Sequence, residues 1–121
     1  MREVHLDLEH LRGAVGGTVY GVSGEPIGTL TGIYLDDESS EPEWIEVRTG
    51  LLKHRLVPLE EAQVAERRVD VPYERRIVDR TPKVKPDHGV VLPDDEDRLH
   101  QYYGLSSEGH IAHPLRSLAT Q

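Results

Sequence analysis

Ile27-Gly28-Thr29-Leu30-Thr31-Gly32-Ile33-Tyr34-Leu35 is the stretch on which the fold turns. Its residues are β-prone, but the apolar positions Ile27, Leu30 and Ile33 fall three apart. A flat, half-buried strand would place them two apart. Each interval contains a glycine, Gly28 or Gly32. Glycine inside a strand marks a bulge or a sharp bend. The stretch therefore reads as one long, strongly curved strand, which a small barrel requires.

On the N-terminal side, Thr18-Val19-Tyr20 is apolar and β-prone, and Gly21 to Gly24 has turn chemistry. Thr18–Tyr20 and the strand from Ile27 thus form a hairpin. On the C-terminal side, Asp36 to Pro42 is a polar turn. Glu43-Trp44-Ile45-Glu46-Val47-Arg48-Thr49 then alternates cleanly. Ile45 and Val47 face the core, while Trp44, Glu46 and Arg48 face the other side. Gly50 begins the next turn. Arg55–Leu59 is a short strand whose Pro58 suits an edge or a strand end. Gln63–Arg67 and Arg68–Tyr73 are two more, with Val64, Val69, Val71 and Tyr73 facing inward. Glu74–Asp79 is a helical turn that closes one end with Ile77 and Val78. Short strands at this spacing predict an all-β fold, a small antiparallel barrel of about six strands.

Beyond Thr81 the apolar residues thin out and prolines interrupt the chain. Pro93–Tyr103 is the exception. Proline suits the first helical position, and Asp94, Asp95, Glu96 and Asp97 suit the positive end of the helix dipole. Leu99, Tyr102 and Tyr103 make an apolar stripe, and Gly104 is a natural stop. The expected organisation is a poorly structured lead over 1–14, a barrel over 15–79 and an extension over 80–105 with a helix at 93–103. A flexible tail over 106–121 follows.

The runs Gly17-Thr18-Val19-Tyr20, Glu25-Pro26-Ile27-Gly28-Thr29-Leu30 and Ile33-Tyr34-Leu35-Asp36-Asp37 come in a distinctive order. They are followed by Pro42 to Gly50, Val57-Pro58-Leu59 and Val69-Asp70-Val71-Pro72-Tyr73. Together they resemble the PRC-barrel family, named from the cytoplasmic barrel of the photosynthetic reaction-centre H subunit. Pro93 to Leu99 and Tyr102-Tyr103-Gly104-Leu105 resemble the acidic helix and Tyr-Gly-Leu end of small free-standing bacterial members. The resemblance implies a curved antiparallel barrel that serves as a docking module without an enzymatic activity of its own. Similar domains contact a ribosomal protein in a ribosome maturation factor and occur in archaeal cell-division proteins. Leu92 stands where small relatives often carry a helix-capping serine, so the usual cap is missing here.

The chain has 121 residues, no cysteine and a formal net charge of −8. That length fits one domain and needs no staple. Without cysteine there is no thiolate zinc site, redox pair or thiol nucleophile. The charge argues against a protein built to coat nucleic acid or anionic membrane, and no apolar run approaches the ~18 residues of a membrane span. A soluble, cytoplasmic domain is expected. Acid residues gather at Asp36–Glu43 and Asp94–Asp97, and arginines at Arg48 to Arg80, so the molecule is dipolar.

His110-x-x-His113 is the one close histidine pair, and it lies in the expected tail, so its side chains read as solvated. A tetrahedral zinc site needs about four ligands; no metal or other cofactor is expected. The Asp94–Asp97 run lacks the ligand spacing and central glycine of a calcium loop. Asp36 and Asp37 lie in a polar turn, where carboxylates stay solvated, and no phosphate loop or nucleophile elbow is present. Trp44, with Arg48 on its face, is a candidate interface residue, since Trp and Arg dominate hot spots. The alternative is cover by a terminal segment of the same chain. Leu99, Tyr102 and Tyr103 pose the same choice. The reading is a non-catalytic interaction module that forms a homodimer and engages a further protein partner. Alternatives are a regulatory domain for a small ligand or metal, and a ribosome-associated accessory protein.

Overall fold

A computed structural model of the chain describes residues 8–106 and 108–118. The long bent strand is β2, Pro26–Asp36. Its register against β3 (Pro42–Gly50) slips twice, between Leu30 and Gly32 and between Tyr34 and Leu35. The first slip ends at one of the glycines that announced it. Ile27, Leu30 and Ile33 are all buried. At Gly28 an added Cβ would collide with the Arg48 carbonyl, so the two strands approach too closely there for a side chain. Beyond the bend strict alternation resumes: Ile33 and Leu35 enter one core, and Tyr34 enters another on the opposite face.

β3 turns back into β4 (Lys53–Pro58), and β1 (Thr18–Tyr20) pairs antiparallel with β2, as the hairpin reading expects. β5 (Gln63–Ala65) and β6 (Arg68–Asp70) form a small hairpin. β6 runs parallel to β1, with Val19 opposite Val69. The main path is β4-β3-β2-β1-β6-β5. Two further strands, β7 (Val90–Val91) and β8 (Leu115–Ser117), pair with each other, and β8 pairs with β2.

The expected closed antiparallel barrel of six strands is therefore corrected. Among the described residues the sheet has eight strands, contains one parallel pair and stays open, because β4 and β5 at the ends of its main path do not pair. Pro58, which has no N–H to give a ladder, ends β4.

The lead and the tail also differ from expectation. Residues 8–14 form a helix, α1 (Leu8–Ala14), whose Leu11 and Ala14 are fully buried in the inner core; residues 1–7 lie outside the described residues. Residues 108–118, read as flexible, lie on the domain. β8 takes the edge of β2 at Tyr34–Asp36, beyond the stretch used by β1, and buries Leu115. An open edge and one apolar side chain suffice to seat a segment whose composition is otherwise polar. Residues 107 and 119–121 lie outside the described residues.

The sheet is covered on both faces. The inner core holds Ile27, Leu30, Ile33, Ile45, Val47 and Val57, with Leu11 from α1 and Val78 from α2 (Arg75–Asp79). The outer core holds Tyr34, Trp44, Leu56, Val91 and Leu115 beneath Leu99 and Tyr103, which come from α3 (Pro93–Tyr102) and its C-cap. Adjacent residues divide between them: Trp44 outward and Ile45 inward, Leu56 outward and Val57 inward.

Candidate functional site

α3 begins at Pro93 without a side-chain cap from Leu92, as the sequence implies, and ends at Tyr103 and Gly104. Gly104 has φ 68°, and its N–H and that of Leu105 bond back to the carbonyls of Gln101 and His100. The inward face of the helix is Glu96, Leu99, His100 and Tyr103, all buried. Tyr102 is half-buried at its margin and donates to the Ile77 carbonyl.

This packing settles what covers Trp44. Trp44 is 2% exposed, Leu99 is fully buried, and the Tyr103 ring lies 5.9 Å from the indole. Of the two readings open for Trp44, Leu99 and Tyr103, a partner surface or cover within one chain, the packing matches the second: they are interior contacts of one chain. The extension after the barrel supplies a helix long enough to lie across the outer face. Of the five candidates only Arg48 is exposed.

Beside this helix lies an acidic cleft. Glu41, Glu43, Glu60 and Glu96 line a cavity of about 500 Å³ floored in part by Trp44 and Leu59. Burial raises the Glu96 carboxyl above its usual range, against the pull of His110. Burial raises Glu43 too, reinforced by the Asp36 and Glu96 charges. His110 Nε2 stands 3.1 Å from Glu96 Oε1, and its ring stacks on His100 at 3.6 Å.

A second cavity of about 260 Å³ shares Glu43, Glu96 and His110 and extends to Asp36 and His113. Both His113 ring nitrogens face carboxylates, Asp36 Oδ1 at 3.0 Å and Glu38 Oε1 at 3.1 Å. Burial works to raise Asp36, but hydrogen bonds from Ser39, the Glu38 backbone and His113 outweigh it and hold the carboxyl low. The reading of His110 and His113 as solvated is thereby corrected. They fasten residues 110–113 to α3 and to the β2–β3 turn. Among the described residues, no group of three or more His, Asp or Glu side chains is placed to hold a metal ion.

The other end of the β3–β4 hairpin has the opposite character. Its turn is Leu51-Leu52, and the two side chains are 89% and 86% exposed. Leu52 has φ 62°, a conformation that favours Gly, Asn or Asp. Arg48, Lys53 and His54 are exposed around the tip. At its foot, Arg55, Lys83 and Lys85 line an open groove with Val84 and Pro86, and Glu46 and Asp87 share that lining. Arg48, Lys53, Arg55, Lys83 and Lys85 form no ion pair with a carboxylate among the described residues, whereas Arg68, Arg75, Arg76, Arg98 and Arg116 each do. Leu51 and Leu52 are not among the five candidates that the sequence singles out. The signal was present: two leucines directly after Gly50, where a hairpin turn ordinarily carries small polar residues.

The arrangement of bent β2, the β3–β4 hairpin and the short strands near β1 is accompanied by a direct sequence match. The PRC-barrel domain pattern matches residues 11–81, more than half of the chain. The chain belongs to the PRC-barrel family. The match begins at Leu11, so it includes the buried half of α1, and it ends at Thr81 before the segment that covers the outer face of the barrel sheet. No curated protein matches the chain. Among the described residues, no helix of this PRC-barrel protein is long and apolar enough to cross a membrane.

Proposed function

We propose that this PRC-barrel chain is a non-catalytic protein–protein interaction module that associates with itself. The observation that carries the reading is the Leu51-Leu52 tip. Two apolar side chains stand almost fully in water at the turn of the β3–β4 hairpin, beside Arg48 and Lys53, which pair with no carboxylate among the described residues. Single exposed leucines are ordinary, but two side by side at one turn make a contiguous apolar patch, which supports reading it as a contact surface. The His110–Glu96 and His113–Asp36 pairs serve to hold the C-terminal segment, which supports a structural use of the chain's titratable groups. Sedimentation velocity of the full chain over a wide concentration range tests self-association. A sedimentation coefficient that rises with concentration is expected; a monomer at every concentration overturns the reading.

A further inference from the structure

We propose that self-association is head-to-tail, the Leu51-Leu52 tip of one copy entering the acidic cleft of the next. This deepens the proposed function and rests on it. The tip and the cleft lie at opposite ends of the β3–β4 hairpin: Leu51 and Leu52 follow Gly50, whereas Pro42, Glu43 and Pro58 line the cleft. Nine residues of β3 separate the ends, roughly 30 Å at the rise of a strand. One copy therefore cannot fill its own cleft with its own tip, and the two surfaces are available to different neighbours.

Charge and shape select the occupant. The tip is convex, apolar and rimmed by Arg48, Lys53 and His54. The cleft is concave, with Glu41, Glu43 and Glu60 at its walls and Leu59 and Leu105 among its lining. Arg48 and Lys53 at the tip, which pair with no carboxylate among the described residues, meet Glu41, Glu43 and Glu60 at the cleft, which favours this register over tip-to-tip contact. An anionic bilayer would also attract the basic pole, but a net charge of −8 repels it at longer range. A second copy presents its acidic pole instead. Because the two surfaces differ, the contact is heterologous and propagates into chains or rings instead of closing as a simple dimer.

Leu52 adds an argument independent of charge. A leucine at φ 62° costs stability that Asn at the same place would largely recover. A tip variant, Leu51→Asp with Leu52→Asn, is therefore expected to melt no lower than wild type while its self-dissociation constant rises at least about tenfold. A cleft variant, Glu41→Lys with Glu60→Lys, alters exposed side chains only and is expected to be monomeric too. The deciding experiment mixes the two variants at equal concentration in sedimentation velocity. The cleft variant keeps a working tip and the tip variant keeps a working cleft. A species of two chains, and nothing larger, is expected. Wild type that associates while the mixture stays monomeric overturns the head-to-tail contact but leaves self-association standing. A tip variant that associates like wild type does the same. Wild type that stays monomeric, yet co-sediments with anionic phospholipid vesicles through the tip, overturns both.

Discussion

The Tyr103 hydroxyl donates to the Leu56 carbonyl at 2.8 Å and lies 2.6 Å from Thr81 Oγ1, and both contacts are buried. It thus ties the C-terminal cap of α3 to β4 and to the end of α2. Burial pushes the phenol well above its ordinary range, as expected for a hydroxyl that works only as a neutral donor. Tyr103→Phe keeps the ring contacts with Trp44 and Tyr73 but leaves a buried carbonyl unpaired. It should cost about 1–3 kcal/mol in urea unfolding. Glu43 and Asp36 should respond to pH with opposite signs. The raised Glu43 carboxyl binds its proton more tightly in the folded state, so its contribution to stability falls as pH rises above the ordinary carboxylate range near 4.5. Glu43→Gln should then raise the melting temperature at pH 7, with the gain fading towards pH 4. Asp36 is held low, so its contribution is present above about 3.8 and is lost as pH falls through the lowered value. Asp36→Asn should lower the melting temperature at pH 7 and lose that effect in acid. Thermal melts across this range check both signs; a gain for Glu43→Gln that persists at pH 4 would contradict the assignment.

At the scale of elements, α3 and β8 both serve the outer face of the sheet. The helix was legible from its proline, acidic first turn and terminal glycine, and it ends one residue earlier than expected. Its buried face was only partly legible. The apolar spacing named Leu99, Tyr102 and Tyr103, whereas the face that packs is Glu96, Leu99, His100 and Tyr103. Two polar side chains belong to the buried stripe because His110 stacks on one and pairs with the other. A hydropathy pattern cannot register that. β8 was not legible at all: three residues, Leu115-Arg116-Ser117, carry too little periodicity to mark a strand. Leu115→Asp should detach β8, since a charge would stand where a side chain is 1% exposed. Hydrogen exchange should then accelerate at Tyr34–Asp36 and Val90–Val91 while β1 and β6 stay protected. Uniform acceleration across the sheet would show instead that β8 belongs to one global unit.

At the scale of the molecule, the family match and the packed structure divide the chain differently. The PRC-barrel match closes at Thr81, but Tyr34, Trp44 and Leu56 within it are buried with Val91, Leu99, Tyr103 and Leu115 outside it. Residues 11–81 produced alone would expose that apolar face. They are expected to bind a hydrophobic dye, to show red-shifted Trp44 emission and to aggregate. A monomeric 11–81 fragment with wild-type Trp44 emission would show that the extension is dispensable. The charge distribution is also a property of the whole. The net value of −8 describes neither pole, since one end of the β3–β4 hairpin gathers Glu41, Glu43, Glu60 and Glu96, whereas at the other Arg55, Lys83 and Lys85 outnumber Glu46 and Asp87.

The amino-acid sequence by itself determined the curved strand, the alternation of β3, the position of α3 and the family. Each rests on local chemistry: glycine at a bend, a period of two on a pleated strand, proline and carboxylates at a helix start. Only the tertiary structure decided that the sheet stays open and that β6 returns parallel to β1. It also decided that Trp44 is covered by its own chain and that His110 and His113 are fasteners. Those features depend on which distant segments compete for one sheet edge or one face. That competition is settled by burial and long-range pairing, to which spacing along the chain is blind.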